Sequence, residues 1–264
     1  MRMRDDNEQD AIKRYMRERY DGFADTVERE MRQIDDIDRL WRVAEGKRPA
    51  LAYFRRRKIE TALRLGGFAT GARILDVGCA TGDYTFLLAR RGFRMTGADL
   101  SPKSVDAARA RAVQLGIRDI DFVRSDAENL VELREASFDG VVSFSALRYV
   151  ERLPAALAAI RHVLRPGGVA ALDFPNKNSP WFTLLKGRFG VEAHRFDHQY
   201  DSTELERLFR SAGFVGVRSQ RILFTSYLTP ARLLPLFKLI DRAGEPLPPA
   251  NHFAAIVMVR GVRN

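Results

Sequence analysis

Short apolar runs alternate with segments of helical periodicity between residues 73 and 174. The apolar runs predict strands at 73–77, 94–98, 120–124, 138–144 and 169–174, and the intervening segments predict helices at 84–91, 102–115 and 153–164. Alternation of strands and helices is typical of βαβ units, which build parallel sheets. The pattern therefore predicts an α/β domain organised around a mostly parallel sheet.

The flanking regions follow other patterns. Residues 1–50 alternate charges of both signs around sparse apolar positions, which predicts a helical extension or cap, and 51–65 predicts a helix that stops at Gly66 and Gly67. Residues 175–201 show no clear period and are interpreted as an insertion over the carboxyl edge of the sheet. A helix over 202–212 with Ser202 as N-cap, and strands over 217–224 and 253–262, complete the prediction.

Composition narrows the class of protein. Hydrophobic residues make up 45% of the 264 positions, enough for a sizeable core, and Cys79 is the only cysteine, so an intramolecular disulfide is impossible. No stretch resembles a secretory signal or a membrane span, and we expect a cytoplasmic protein. The net charge of +10 fits an anionic partner or simply solubility.

The first predicted strand leads into a glycine-rich turn and then a helix, in the sequence Ile74-Leu75-Asp76-Val77-Gly78-Cys79-Ala80-Thr81-Gly82. Glycines there would let a ligand approach the backbone closely. Asp99 closes the second strand and could accept hydrogen bonds from two ribose hydroxyls. A nicotinamide dehydrogenase has a similar arrangement, so this pair alone leaves that alternative open.

With Ser125-Asp126-Ala127-Glu128 after the third strand and Ser143 ending the fourth, these landmarks resemble those of class I S-adenosylmethionine-dependent methyltransferases, including the ubiquinone-biosynthesis subgroup. Ala80 departs from the family's usual middle glycine. The resemblance implies a Rossmann-like, seven-stranded sheet of order 3-2-1-4-5-7-6 with an antiparallel last strand, helices on both faces, and a methyltransferase domain over 51–264. It implies S-adenosylmethionine as cofactor, held by Tyr20, Asp76, Gly78, Cys79, Ala80, Gly82, Asp99, Leu100, Asp126, Ala127 and Ser143.

Candidates for the acceptor side lie after the fourth strand and in the insertion. His194, His198 and Tyr149 could remove a proton from a hydroxyl acceptor, and Arg148 could hold an acidic one. All four are also candidate substrate contacts. The pair His194 and His198 also suggests a metal site, but the surrounding residues do not predict a helix and no further ligand set is visible, so we expect no metal.

The segment 230–242 is amphipathic, with Leu233, Leu236, Leu239 and Ile240 on one helical face and basic residues beside it. Such a helix more often packs on its own domain, but it also fits peripheral contact with an anionic membrane. We therefore expect a small-molecule or lipid-like acceptor.

Three other functions remain open. The sequence pI near 10.1 and the run Arg55–Lys58 suggest an RNA methyltransferase, but the Asn/Asp-Pro-Pro-aromatic motif of base-amino enzymes is missing after the fourth strand, so nucleic acid is not expected. A noncatalytic protein that binds S-adenosylmethionine is a second possibility, and a nicotinamide-dependent oxidoreductase is the third.

Overall fold

A computed structural model describes residue 11 and residues 13–22, 24–25, 46, 48–183 and 197–264. Its strands are β1 (Arg73–Val77), β2 (Arg94–Asp99), β3 (Ile120–Arg124), β4 (Phe138–Ser143), β5 (Leu164–Pro175), β6 (Phe214–Ile222) and β7 (Ile256–Arg263). They form one sheet in the order β3-β2-β1-β4-β5-β7-β6. Strands β1 to β5 are parallel and β7 is antiparallel to both its neighbours. The predicted order and the antiparallel last strand are confirmed.

The helices surround this sheet. They are α1 (Pro49–Gly66), α2 (Asp83–Ala89), α3 (Pro102–Gln114), α4 (Leu153–Val163), α5 (Pro180–Thr183), α6 (Ser202–Ser211) and α7 (Leu234–Gly244). Residues 13–22 form a further helical stretch, called the N-terminal segment below. Gly67, with φ of +60°, ends α1 by donating its N–H to the Leu63 carbonyl, which confirms the predicted stop.

Alternate residues of the central strands face opposite helical layers. Leu75, Val141 and Leu172 are buried with the apolar residues of α4 and α6, and their neighbours Ile74, Val142 and Ala171 are buried with those of α1. This period of two is what a sheet covered on both faces requires. Helix α1 therefore packs directly on one face of the sheet. Its polar residues Arg55 and Lys58 reach the carboxyl ends of the strands from that face.

Several boundaries differ from the prediction: β6 spans 214–222 instead of 217–224, and β7 spans 256–263 instead of 253–262. Two further differences have a clear physical reason. Strand β5 begins at Leu164, not at Val169, because Leu164 pairs with Phe138 and draws the predicted proline-glycine turn into the strand. The predicted N-cap of α6 was wrong by one residue: the Asp201 carboxylate accepts the Glu204 N–H at 2.8 Å, and Ser202 is the first residue of the helix.

Candidate functional site

A cavity of about 260 Å³ opens at the carboxyl ends of β1, β2 and β4. This edge, where the strand order reverses beside β1, is where open α/β sheets bind ligands. The predicted site residues that line the cavity are Tyr20, Gly78, Cys79, Ala80, Asp99, Leu100, Asp126, Ala127 and Tyr149. Residues from the first four strands and from the N-terminal segment are thus brought to one place.

The turn after β1 needs glycine for a reason that the sequence did not reveal. Gly78 and Gly82 have φ of +75° and +87°. A Cβ on Gly78 would lie 2.1 Å from the Cβ of Ala146, and one on Gly82 would lie 2.8 Å from the Phe86 ring. Protein atoms, and not only a ligand, therefore exclude side chains here. Ala80 also has a positive φ, +47°, which costs an L-residue roughly 1–2 kcal/mol.

This strained Ala80 directs its N–H to Asp99, whose Oδ2 accepts it at 2.8 Å. Asp99 Oδ1 accepts the Ser101 N–H at 2.9 Å. A carboxylate has about four acceptor positions, so Asp99 can still accept from a ligand. Burial raises the pKa of Asp99, and the backbone donors oppose that rise. The result is a fixed acceptor pair at the end of β2, suited to two neighbouring hydroxyls.

Asp126 lies farther along the same edge and is ion-paired with the N-terminal segment. Lys13 Nζ is 2.7 Å from Asp126 Oδ2 and 2.9 Å from Glu128 Oε2. Burial would raise the pKa of Glu128, but hydrogen bonds from Lys13 and Arg152 outweigh it and lower that pKa. The N-terminal segment is therefore held across the β3 end of the cavity.

Tyr20 holds the other end of this segment. Its ring meets the Tyr149 ring edge-on, with centroids 6.5 Å apart, and both rings line the cavity. Burial raises the pKa of Tyr149, so its hydroxyl stays protonated near neutral pH and is a poor proton acceptor. The position of Tyr149 thus fits a substrate contact better than the predicted base.

Three predicted cofactor residues do not line the cavity: Asp76, Gly82 and Ser143. The Ser143 hydroxyl is buried and donates to the Val77 carbonyl at 2.8 Å, so it joins β4 to β1. Asp76 is buried beneath the turn, where it accepts the Thr85 hydroxyl at 2.7 Å. Burial raises the pKa of Asp76 to about 7, with Asp99 and Asp173 adding to the effect.

Of the other predicted acceptor contacts, the two that the structure describes, Arg148 and His198, do not line the cavity. Arg148 is buried and bonded through two guanidinium nitrogens to the Asp197 carboxylate, so the structure offers a different partner from the predicted acidic acceptor. His198 is exposed and does not line the cavity. His194 lies outside the described residues.

Several residues of the cavity wall were not among the predicted site residues. Arg55 and Tyr84 line it together with Phe144 and Ser145, and Lys58 and Asp173 lie directly behind Ser145. The basic run in α1 was the available signal, because Arg55 and Lys58 are three residues apart and share a helical face. That run had suggested nucleic acid, yet Arg55, Arg57 and Lys58 form ion pairs with Asp83, Glu245 and Asp173.

Comparison with known sequences agrees with this geometry. Residues 75–172 match the model of a methyltransferase domain. The chain is 36% identical over 162 residues to the ubiquinone biosynthesis O-methyltransferase of Paracidovorax citrulli, covering 57% of this chain and 68% of that protein. It is 32% identical to the enzyme of the same name from Nitrosococcus oceani, covering 70% of this chain and 80% of the relative.

Solved structures show the same fold at low sequence identity. A methyltransferase from Thermotoga maritima, described as a possible histamine N-methyltransferase, superposes with a TM-score of 0.62 at 20% identity, covering 84% of this chain and 96% of that one. A cyclase, SpnF, superposes at 0.58 with 21% identity, covering 79% and 80%. The fold therefore serves more than one reaction. The sequence relatives decide the family: this chain belongs to the class I S-adenosylmethionine-dependent methyltransferases and is similar in sequence to the ubiquinone biosynthesis O-methyltransferases.

Proposed function

We propose that this methyltransferase transfers the methyl group to a hydroxyl oxygen of a small, largely apolar acceptor. One observation supports it above the others: beyond the glycine turn, the cavity wall includes the stacked Tyr84 and Phe144 rings, with centroids 4.4 Å apart, and Ser145. Aromatic rings favour a flat apolar molecule, and the Ser145 hydroxyl offers it one hydrogen bond. The relatives' names, which specify O-methylation, point the same way.

The cofactor would lie along the sheet edge. Asp99 would accept the ribose hydroxyls, and Asp126 with the apolar Leu100 and Ala127 would hold the adenine. Backbone groups of Gly78, Cys79 and Ala80 would face the methionine portion. The residues fit the group, because the Asp99 carboxylate can accept from a ribose hydroxyl and the glycine turn keeps the backbone accessible. When bound, S-adenosylmethionine supplies a methyl group already activated by its sulfonium charge.

The order of the strands supports a position for the acceptor. With adenine at β3, ribose at β2 and the glycine turn at β1, the methyl group would point toward the ends of β4 and β5. Beside the glycine turn, Asp83 lies between Arg55 and Arg111. Although burial opposes it, these two cations lower the pKa of Asp83 to about 2. The chain's own residues therefore align the acceptor and exclude water, while ions remain paired within the wall.

The test is transfer of tritiated methyl from S-adenosylmethionine to a hydroxylated and an aminated probe of the same shape, 4-propylcatechol and 4-propylaniline. We expect label in the catechol ether. Exclusive labelling of the amine would overturn the choice of oxygen. Tight binding of S-adenosylmethionine without transfer to any acceptor would favour the noncatalytic alternative, and preference for NADH would contradict the assigned cofactor residues.

We further propose peripheral contact with an anionic membrane as the source of a lipid-like acceptor. No helix among the described residues is both long and apolar enough to cross a bilayer. Nevertheless, an apolar patch is exposed around α7, formed by Tyr227, Leu228, Leu233, Leu236, Leu239, Ile240, Leu247 and Phe253. The exposed basic residues Arg232, Lys238 and Arg242 accompany it. Apolar surface beside cations suits the boundary of a negatively charged bilayer.

A further inference from the structure

Behind the acceptor end of the cavity lies a fully buried ion pair. Lys58 Nζ, delivered by α1, is 2.5 Å from Asp173 Oδ2 on β5, and their side chains are 0% and 1% exposed. The ammonium is also surrounded by the rings of Phe54, Tyr84 and Phe144, at 5.3, 5.5 and 5.8 Å from their centroids. Replacing such a pair with apolar residues often leaves stability unchanged or increased. Stability alone therefore does not explain it.

Both members of the pair converge on Ser145. Lys58 Nζ donates to Ser145 Oγ at 2.6 Å, and the Ser145 N–H donates to Asp173 Oδ1 at 2.6 Å. Ser145 has a φ of +60°, a left-handed conformation that a non-glycine residue adopts only when its surroundings enforce it. Backbone and side chain of Ser145 are thus both fixed by the ion pair, and backbone strain of this kind concentrates at functional sites.

The hydrogen-bond direction determines what Ser145 can offer. A hydroxyl has one donor and two acceptor positions, and one acceptor position is taken by the Lys58 ammonium. The O–H bond can therefore donate to a second group, and Ser145 lines the cavity where the acceptor would bind. Donation by a cation polarises the hydroxyl and makes it a stronger donor in turn.

We propose, on the basis of the function proposed above, that Ser145 Oγ–H donates to the acceptor's hydroxyl oxygen and favours its ionised form, with Lys58 and Asp173 as positioning residues. The acceptor passes its proton to solvent water as it enters the cavity, before the cavity excludes water around it. Its oxygen then forms the bond to the methyl carbon as the methyl–sulfur bond breaks, with that electron pair staying on sulfur. Ser145 contacts the reacting oxygen, whereas Lys58 acts only through Ser145.

Other titratable groups line this end of the cavity or lie beneath its wall, and they also influence the ionisation of a bound acceptor. They are Arg55 from α1, Asp83 and Tyr84 from α2, Asp76 beneath the turn, and Tyr149 after β4 with Tyr20 of the N-terminal segment. Arg55 is paired with Asp83 at 2.9 Å. The variants below leave all of these groups in place. A change in the ionisation of the acceptor on removing Ser145 or the ion pair therefore reports on Ser145, Lys58 and Asp173.

The test uses 4-nitrocatechol, whose visible absorption reports its ionisation, bound to the full-length protein loaded with S-adenosylhomocysteine. We expect binding to lower the ionisation midpoint by about one pH unit, a tenfold change in the ionisation constant. Ser145→Ala should lose most of this shift. The double variant Lys58→Met with Asp173→Asn should do the same, because it removes both charges together and keeps an oxygen for the Ser145 N–H. Lys177→Met, which removes an exposed lysine, is the matched control and should keep the shift.

Unchanged melting and affinity for S-adenosylhomocysteine would establish that the variants fold. Three outcomes would each overturn the role of Ser145. Both variants could keep the full shift, the unmodified protein could show no shift, or the loaded protein could fail to bind 4-nitrocatechol. Continued methyl transfer to 4-propylcatechol in those cases would leave the proposed function intact. Conversely, a Ser145-dependent shift without transfer to any hydroxyl would refute the proposed function and not the contact.

Discussion

At the scale of single residues, Asp99 is the side chain on which cofactor affinity should depend most. Replacing it with Asn keeps the shape but removes the charge that two backbone N–H groups and a ribose diol would share. Hydrogen bonds to a charged group contribute about 1.5–3 kcal/mol each. We expect Asp99→Asn to weaken S-adenosylhomocysteine binding at least about tenfold by calorimetry, which corresponds to about 1.4 kcal/mol of binding free energy.

Asp121→Asn is the control for this prediction, because Asp121 lies exposed on the neighbouring strand β3 and outside the cavity wall. Equal affinities of the Asp99 variant and the unmodified protein would show that the cofactor does not use the acid at the end of β2.

Asp76 makes a prediction about stability and pH. Burial raises its pKa from the ordinary 3.8 to about 7, so the folded state holds this proton more tightly than the unfolded state. Folding stability therefore falls as pH rises from about 4 to about 7, by up to about 4 kcal/mol at full effect. Asp76→Asn, which can still accept the Thr85 hydroxyl, removes this dependence.

We accordingly expect the Asn variant to gain stability relative to the unmodified protein between pH 5 and pH 8 in denaturant titrations. A difference in unfolding free energy that stays constant over this range would mean that Asp76 remains ionised in the folded protein.

Among elements, the N-terminal segment should act on cofactor release. It spans the cavity from Lys13, paired with Asp126, to Tyr20, packed on Tyr149. An edge-on aromatic pair contributes about 0.5–1.5 kcal/mol beyond buried area. We expect Tyr20→Ala to speed S-adenosylhomocysteine dissociation roughly threefold to tenfold in stopped-flow measurements. Tyr15→Ala, in the same segment but outside the cavity wall, should leave the rate unchanged, and equal acceleration by both would indicate general loosening.

Helix α7 is anchored by one buried carboxylate. Asp241 is 1% exposed and accepts the N–H groups of Phe224 and Thr225, at 2.5 and 3.0 Å, and the Thr225 hydroxyl at 2.5 Å. Asp241→Ala would leave these buried donors unpaired, at about 1–3 kcal/mol each. We expect the melting temperature to fall by several degrees, with a smaller fall for Asp241→Asn. An unchanged melting temperature in the Ala variant would show that α7 does not depend on this anchor.

Elements were predictable from sequence where periodicity determines them. The limits of β1 and β3 match the predicted 73–77 and 120–124. In β1, burial on both faces leaves a run with sharp ends, whereas in the edge strand β3 only Phe122 is buried. Strand β5 could not be delimited this way: its first residues include Pro166 and Gly167, which normally indicate a turn, and pairing of Leu164 with Phe138 overrides that local preference.

The site was predictable mainly where residues end a strand or closely follow one, as Asp99 and Asp126 do. Lys58 and Asp173 are 115 positions apart in sequence and lie on different elements, so neither position indicates the other. A basic run also gives no sign of which of its members are buried. Tertiary packing of α1 against β5 decides that Lys58 is buried while Arg56 beside it is exposed.

For the whole molecule, the exposed apolar patch around α7 predicts attraction to anionic vesicles. Leu236 and Leu239 are 54% and 61% exposed, so changing both to Ser should spare the fold. Flotation with vesicles containing phosphatidylglycerol should recover the unmodified protein and much less of this variant. Each nearby basic residue contributes about 1 kcal/mol at a negative surface. The triple change Arg232→Gln, Lys238→Gln and Arg242→Gln should therefore also release the protein, as should added salt.

The control removes exposed apolar residues elsewhere. Val113 and Val131 are 83% and 73% exposed and lie outside the patch, so Val113→Ser with Val131→Ser should float like the unmodified protein. The anchoring of α7 through Asp241 presents the patch as a fixed surface, and Phe54 connects it to the active site, since its ring lies 6.1 Å from Tyr227 and 5.3 Å from Lys58 Nζ. The patch is thus two side-chain contacts away from the ion pair behind Ser145. Flotation unaffected by the leucine variant would exclude the patch as the contact and require another route for the acceptor.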